Sequence, residues 1–210
     1  MSVLIVTGTD TGIGKTVFSA ALAGALGAHY WKPIQAGVDP QGDRETVAAL
    51  SGLPADHILP EAFRLNTPAS PHLAARIGGV TIDLHQLALP QVDGPLVVEG
   101  AGGVLVPISE TLLMADLFAH WGQPVILCAR TGLGTINHSL LSIEALRVRG
   151  ARVVGIAFIG DAHEENERII PQIGGVPSLG RLPMIDPLTS QALAAAFAAH
   201  IRLPETFKRR

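Results

Sequence analysis

Residues 8–16, Gly-Thr-Asp-Thr-Gly-Ile-Gly-Lys-Thr, place glycines, a lysine and a hydroxyl at a spacing suited to triphosphate chemistry. Backbone N–H groups of such a loop, and of a helix starting at its end, wrap anionic oxygens. Lys15 is expected to reach the β- and γ-phosphates, and the Thr16 hydroxyl to ligate Mg²⁺. The spacing departs from the usual G-x-x-x-x-G-K-[ST]: five residues separate Gly8 from Gly14, and Thr9 stands where the first glycine belongs. A glycine turn that merely precedes Lys-Thr is the bland alternative. It fits less well, because the apolar run 3–6 comes before the loop and a helix-like stretch, 17–26, comes after it.

Other chemistry-bearing residues follow apolar runs. Lys32 begins Lys-Pro-Ile-Gln-Ala-Gly. It is either a surface lysine at a turn or a cation aimed at the phosphates, and a phosphate loop beside it favours the second. Glu99 ends the run 95–99 and opens Glu-Gly-Ala-Gly-Gly. A carboxylate there suits a Mg²⁺ ligand opposite the loop threonine, and the glycines let backbone approach a ligand closely. The alternative is a glycine turn with Glu99 exposed. Neither glycine segment fits the dinucleotide pattern G-x-G-x-x-G. Asp43 precedes a helical stretch and suits an N-cap, a metal ligand or both. Residues 133–138, Leu-Gly-Thr-Ile-Asn-His, open another helix whose free N–H groups could hold a carboxylate. His138 alone is weak support for catalysis.

These residues need a scaffold that gathers strand ends. Candidate strands are 3–7, 29–33, 95–99, 123–129, 152–159 and 177–182. Several are continuous Val/Leu/Ile runs, as in parallel strands buried on both faces. Candidate helices are 15–27, 43–51, 71–78, 110–121, 137–149 and 188–200, with Asp43, Asn137 and Thr189 as possible caps. The alternation predicts one α/β domain spanning 1–210, with an open, mostly parallel sheet and helices on both faces; the phosphate loop between its first strand and helix makes it of the P-loop NTPase type. Ligands in such sheets bind at the carboxyl ends of the strands. Residues 52–72, proline-rich and aperiodic, are expected to form an irregular loop over that edge.

The chain's 210 residues and 48% hydrophobic content suit one substantial core. Its formal net charge of −3 disfavours nucleic-acid binding through a positive field. The tail Lys208-Arg209-Arg210 suits a frayed, solvated terminus. Cys128 is the only cysteine, so no internal disulfide forms; its apolar surroundings make it a small buried hydrophobe. The chain shows no charged leader and no apolar run of membrane length. The expectation is a soluble cytoplasmic protein, with neither nucleic acid nor membrane as partner.

GTDTGIGKT, KPIQAG, TPASPH, VEGAGG and LGTINH together resemble the dethiobiotin synthetases, from about residue 3 to about residue 184. The resemblance implies a P-loop ligase of biotin biosynthesis. It would carboxylate 7,8-diaminopelargonic acid with CO₂ and close the ureido ring, with ATP as co-substrate and Mg²⁺ as cofactor. One amine takes up CO₂ as a carbamate. The carbamate attacks the γ-phosphate, giving ADP and a carbamic–phosphoric anhydride. The second amine closes the ring and expels phosphate. The resemblance assigns catalysis to Lys15 and Lys32, and Mg²⁺ to Thr16, Asp43 and Glu99. Nucleotide contacts fall to Thr11, Gly12, Ile13, Gly14, Lys15, Thr16 and Val17, to Glu99, Gly100, Ala101, Gly102 and Gly103, and to Ile159, Gly160, Leu182 and Pro183. Substrate contacts fall to Thr11, Lys32, Ala36, Ser70, Pro71, Gly134, Thr135, Ile136 and Asn137, with His72 also lining the diamine pocket. The last four of those contacts would bind the substrate carboxylate across a homodimer interface.

Three positions depart from the family pattern. Ala36 replaces a serine or threonine, which removes one hydroxyl worth about 0.5–1.5 kcal/mol in a neutral hydrogen bond. Ile159 or Gly160 stands where many members read adenine with an asparagine, so relaxed nucleotide selectivity is expected. Gly132 stands where some members carry a lysine; Arg130 is nearby. Rival readings are less consistent with the residues. An amidotransferase synthetase needs a glutaminase domain as well. A partitioning ATPase carries an early loop lysine, where this chain has Thr9-Asp10-Thr11. A degenerate binding module would not need Lys15, Thr16, Lys32 and Glu99 all intact.

Overall fold

The computed structural model describes residues 2–37, 42–204 and 207. Six apolar runs form one parallel sheet. Its strands are β1 (Val3–Gly8), β2 (His29–Trp31), β5 (Leu96–Glu99), β6 (Val125–Arg130), β7 (Val153–Ile159) and β8 (Ser178–Leu182), in the spatial order β2-β5-β1-β6-β7-β8. All six β1 residues are buried. Alternation divides them between two cores: Val3 and Ile5 face one, Leu4 and Val6 the other. Leu4 and Val6 meet Phe18 and Leu22 of α1 (Lys15–Leu26), Val47 of α2 (Asp43–Leu50), and Leu193 and Phe197 of α7 (Ser190–His200). The opposite core takes α3 (Pro71–Ile77), α4 (Met114–Trp121), α5 (Thr135–Val148) and α6 (Glu164–Gly174). With helices on both faces, the carboxyl ends of β1, β2 and β5 converge on one edge.

Three features differ from the sequence expectations. A second parallel sheet pairs β3 (Ile34–Ala36) with β4 (Phe63–Leu65). Each strand is three residues long, too short for a readable period. The second strand, β4, lies inside the supposedly irregular 52–72 region, which Trp31 Nε1 pins by donating to the Pro60 carbonyl at 3.0 Å. Second, α6 occupies a segment assigned no helix. Its polar residues hide an apolar stripe, although three glutamates in its first turn suit a helix N-terminus. Third, the helix expected from residue 110 starts at Met114, because Pro107 and Leu113 first form an antiparallel bridge.

The caps divide similarly. Thr189 caps α7 by accepting from the Ala192 N–H at 3.2 Å, as expected. Asp43 and Asn137 do not cap. Gly42 and Gly134 hold those positions, and Asp43 and Asn137 lie within the first turns. Asp43's carboxylate is thereby left for another partner. Cys128 is buried, as expected, and burial pushes its thiol well above the usual range. Among the described residues, no helix is long and apolar enough to cross a membrane. The basic tail at 208–210 lies outside the described residues.

Candidate active site

The phosphate-loop segment leaves β1 at Gly8 and enters α1 at Lys15. A Cβ on Gly8 would lie 2.6 Å from Ile13 Cδ1 and 2.9 Å from the Lys15 stem, so a larger residue there would displace both side chains. Gly8 therefore serves the loop's packing although it sits one residue early in the motif. Gly14 has φ +95°, a left-handed conformation that favours glycine. Lys15 is only 6% exposed, and its ammonium donates to the Asp10 carbonyl at 2.8 Å. Burial lowers its pKa; Glu99 opposes that shift and Lys32 adds to it. The Asp10 carboxylate accepts from the Thr11 N–H at 2.7 Å and from Arg130 at 2.8 Å. The loop is thus braced to the carboxyl end of β6.

Glu99 is the hub of the charged cluster. Fully buried at the end of β5, it accepts from Thr16 Oγ1 at 2.9 Å, Tyr30 OH at 2.9 Å and Lys32 Nζ at 3.2 Å. Lys32 also pairs with Asp43. Burial alone would lower the Lys32 pKa, but Glu99 and Asp43 outweigh it and raise the value. Tyr30 is pushed well above its ordinary range by burial, with Glu99 adding to the shift. The Thr16 hydroxyl and two carboxylates form an all-oxygen donor set of the kind Mg²⁺ takes. Among the described residues, no group of three or more His, Cys, Asp or Glu could hold a metal by itself.

A cavity of about 690 Å³ opens above this cluster. It brings together Thr11, Gly12, Gly14, Lys15, Thr16, Val17, Lys32, Ala36, Asp43, Ser70, Pro71, Glu99, Ala101 and Gly102. Gln35, Pro68, Ala69 and Val106 complete its lining. Ile13 instead turns its side chain into the core. Gly100 lies under Phe118, where a Cβ would come within 2.6 Å of the ring. Gly103 runs close to the Gly8 and Thr9 carbonyls. Ile159, Gly160, Leu182 and Pro183 gather outside the cavity at the ends of β7 and β8. Ile159 sits beside Gly14, and the Gly160 N–H donates to the Leu182 carbonyl at 3.0 Å.

Gly134, Thr135, Ile136 and Asn137 are not brought to this cavity. Gly134 and Thr135 border a separate crevice of about 90 Å³ with Thr9, Asp10, Arg130 and His138. Ile136 and Asn137 are exposed on the first turn of α5. Sequence reasoning missed Tyr30 and Gln35. Gln35 accepts from the Asp43 N–H at 3.2 Å and donates to the Gly37 carbonyl at 2.8 Å, which sets the start of α2 beside the site. The one available signal was a polar tip on each of two three-residue strands.

A family model described as an AAA domain matches residues 2–192. The ATP-dependent dethiobiotin synthetase BioD of Rhodopseudomonas palustris (strain HaA2) is 63% identical over 205 residues, covering 98% of this chain and 96% of that protein. The protein of the same name from Novosphingobium aromaticivorans is 60% identical over 205 residues, covering 98% and 99%. Among solved structures, the MinC:MinD cell division protein complex of Aquifex aeolicus matches with a TM-score of 0.57 and 17% identity, covering 98% of this chain and 99% of that one. A ParA family ATPase from Chlorobium tepidum matches with a TM-score of 0.51 and 11% identity, covering 95% and 98%. At such identities the likeness shows the fold alone, that of the P-loop NTPases.

Proposed function

This chain belongs to the ATP-dependent dethiobiotin synthetase family, and on that premise we propose that it carboxylates 7,8-diaminopelargonic acid with CO₂ and closes the ureido ring at the expense of ATP. It is a ligase of biotin biosynthesis, and the reaction is assigned to the cytoplasm. The observation that carries this reading is the cluster of Lys15, Thr16, Lys32, Asp43 and Glu99 at one end of a single cavity.

Each stage of the reaction develops negative charge on oxygen, so fixed cations in a buried site are the fitting catalysts. Lys32, kept protonated by Glu99 and Asp43, holds the carbamate. Lys15 exchanges the Asp10 carbonyl for phosphate oxygens and stabilises the transferring group. Thr16, Asp43 and Glu99 would hold Mg²⁺, which neutralises phosphate charge when bound. Thr11, Gly12, Gly14, Val17, Ala101 and Gly102, all in the cavity lining, take the phosphates. Ala36, Ser70 and Pro71 border the diamine. Ile13, Gly100 and Gly103 contribute backbone. Ile159, Gly160, Leu182 and Pro183 take the nucleotide base, and without an asparagine there selectivity for ATP is relaxed. CTP and GTP should each fall less than about a hundredfold below ATP in kcat/KM. The first turn of α5, Gly134 to Asn137, receives the substrate carboxylate in a homodimer.

The reading is tested by ADP release measured with and without the diamine and bicarbonate. ADP formation that requires both is the expected result. Equal ATP hydrolysis without them contradicts it.

A further inference from the structure

Ring closure releases protons that the charged cluster is badly placed to accept. The diamine's nitrogens are ammonium groups at neutral pH, and each loses protons on becoming part of the urea. Glu99 is buried and already accepts three hydrogen bonds. Asp43 is paired with Lys32. Lys15 and Lys32 are needed as cations. Ser70 lines the same cavity, and its Oγ lies 2.9 Å from His72 Nδ1. Ser70 is the residue before α3, where a serine hydroxyl ordinarily accepts a backbone N–H. It makes no such bond and faces the imidazole instead. His72 does not line the cavity and is partly exposed, which leaves its ring a route to water. Imidazole is the side chain whose charge changes in the neutral range.

We propose that Ser70 and His72 form a proton relay serving the ring-closing amine, a role that rests on the dethiobiotin-forming reading above. The amine lone pair forms a C–N bond to the anhydride's carbonyl carbon. The bond from that carbon to the phosphate oxygen breaks, and phosphate leaves with the electron pair. The nitrogen's proton passes to Ser70 Oγ as the serine's own proton passes to His72 Nδ1. The imidazolium then releases a proton to water. Ser70 is the catalytic residue of the pair, and His72 acts through it. The surroundings of His72 are few in charge. Arg76, one turn along α3, pairs with Glu110 at 3.5 Å. The neighbouring β3 and β4 present Gln35 and Arg64, the latter paired with Glu45 and Glu61. The loop at Pro107 presents its carbonyl to the His72 N–H. Lys15, Lys32, Asp43 and Glu99 belong to the cavity that Ser70 lines.

The test measures dethiobiotin formation at saturating diamine, bicarbonate and Mg-ATP for wild type, His72→Ala, Ser70→Ala and the double variant. Expected are a fall in kcat of about 10²-fold for each single variant with the KM for ATP unchanged, and no further loss in the double variant. His72→Ala should also regain rate with added imidazole, which Ser70→Ala should not. Wild-type kcat in His72→Ala would overturn the relay. So would a slow His72→Ala that imidazole does not rescue, beside a Ser70→Ala at full rate. A wild type that forms no dethiobiotin would overturn the underlying reading itself, which separates the two failures.

Discussion

The phosphate loop and the connection into α5 both end at a glycine with positive φ that starts a helix, yet they are finished to different degrees. At the loop, Lys15, Lys32 and Glu99 are buried and every charge has a partner. At α5, Gly134, Ile136 and Asn137 are exposed, and Leu133 is 105% exposed. Farther along that helix, Leu141 and Val148 also face solvent. The difference separates two tasks. Phosphoryl chemistry needs charges fixed before substrate arrives, because reorganising them during reaction raises the barrier. Holding a distant carboxylate needs only N–H groups and a cover, which in the proposed homodimer a second copy supplies.

The largest expected effect lies at the loop. Lys15→Ala should lower kcat at least about 10³-fold while the protein stays folded, since it removes charge stabilisation in the transition state. A kcat within tenfold of wild type, measured by ADP release, would break the distinction between the two regions. Lys32→Ala comes next, with kcat lowered about 10²-fold and the KM for ATP little changed. Weakened ATP binding with kcat intact would move Lys32 from the carbamate to the nucleotide. Lys32 also has a pH signature. Its folded pKa is raised, so its stabilisation is complete below the ordinary value of 10.5 and is lost as pH climbs through the higher folded value. Alkaline unfolding curves of wild type and Lys32→Met should therefore converge above that range.

At α5 the expected effects are smaller and of another kind. Leu133→Asp should shift the protein toward monomer by light scattering and raise the diamine KM roughly tenfold, leaving the KM for ATP alone. An equal rise in both would mean that the two regions are not separable. Smallest is Tyr30→Phe. It removes one buried hydrogen bond to Glu99 and should cost about 1–3 kcal/mol in chemical denaturation. An unchanged midpoint would mean that Glu99 does not depend on Tyr30.

The loop was far more legible in sequence than its supports. β1 and β5 are buried on both faces, so their runs are continuous and the residues after them stand out. Lys15, Thr16 and Glu99 were found that way, and Lys32 by its place just after β2. Tyr30 was not, because an aromatic in a strand reads as core whether or not its hydroxyl has a partner. Gln35 escaped for a similar reason: β3 has only three residues, and its pairing with β4 spans a proline-rich segment. The α6 helix was hidden by its glutamates and by Pro171 near its end. Asp43 was read as an N-cap, a metal ligand or both, and it does line the cavity. Gly42 takes the cap position, and the carboxylate goes to Lys32.

In the proposed reaction one cavity joins phosphoryl transfer to ring closure. A mass-resolved product assay with 7,8-diaminopelargonic acid, ¹³C-bicarbonate, ATP and Mg²⁺ tests this directly. A labelled cyclic urea formed together with one ADP per molecule is the expected result. ADP released without labelled urea would contradict it.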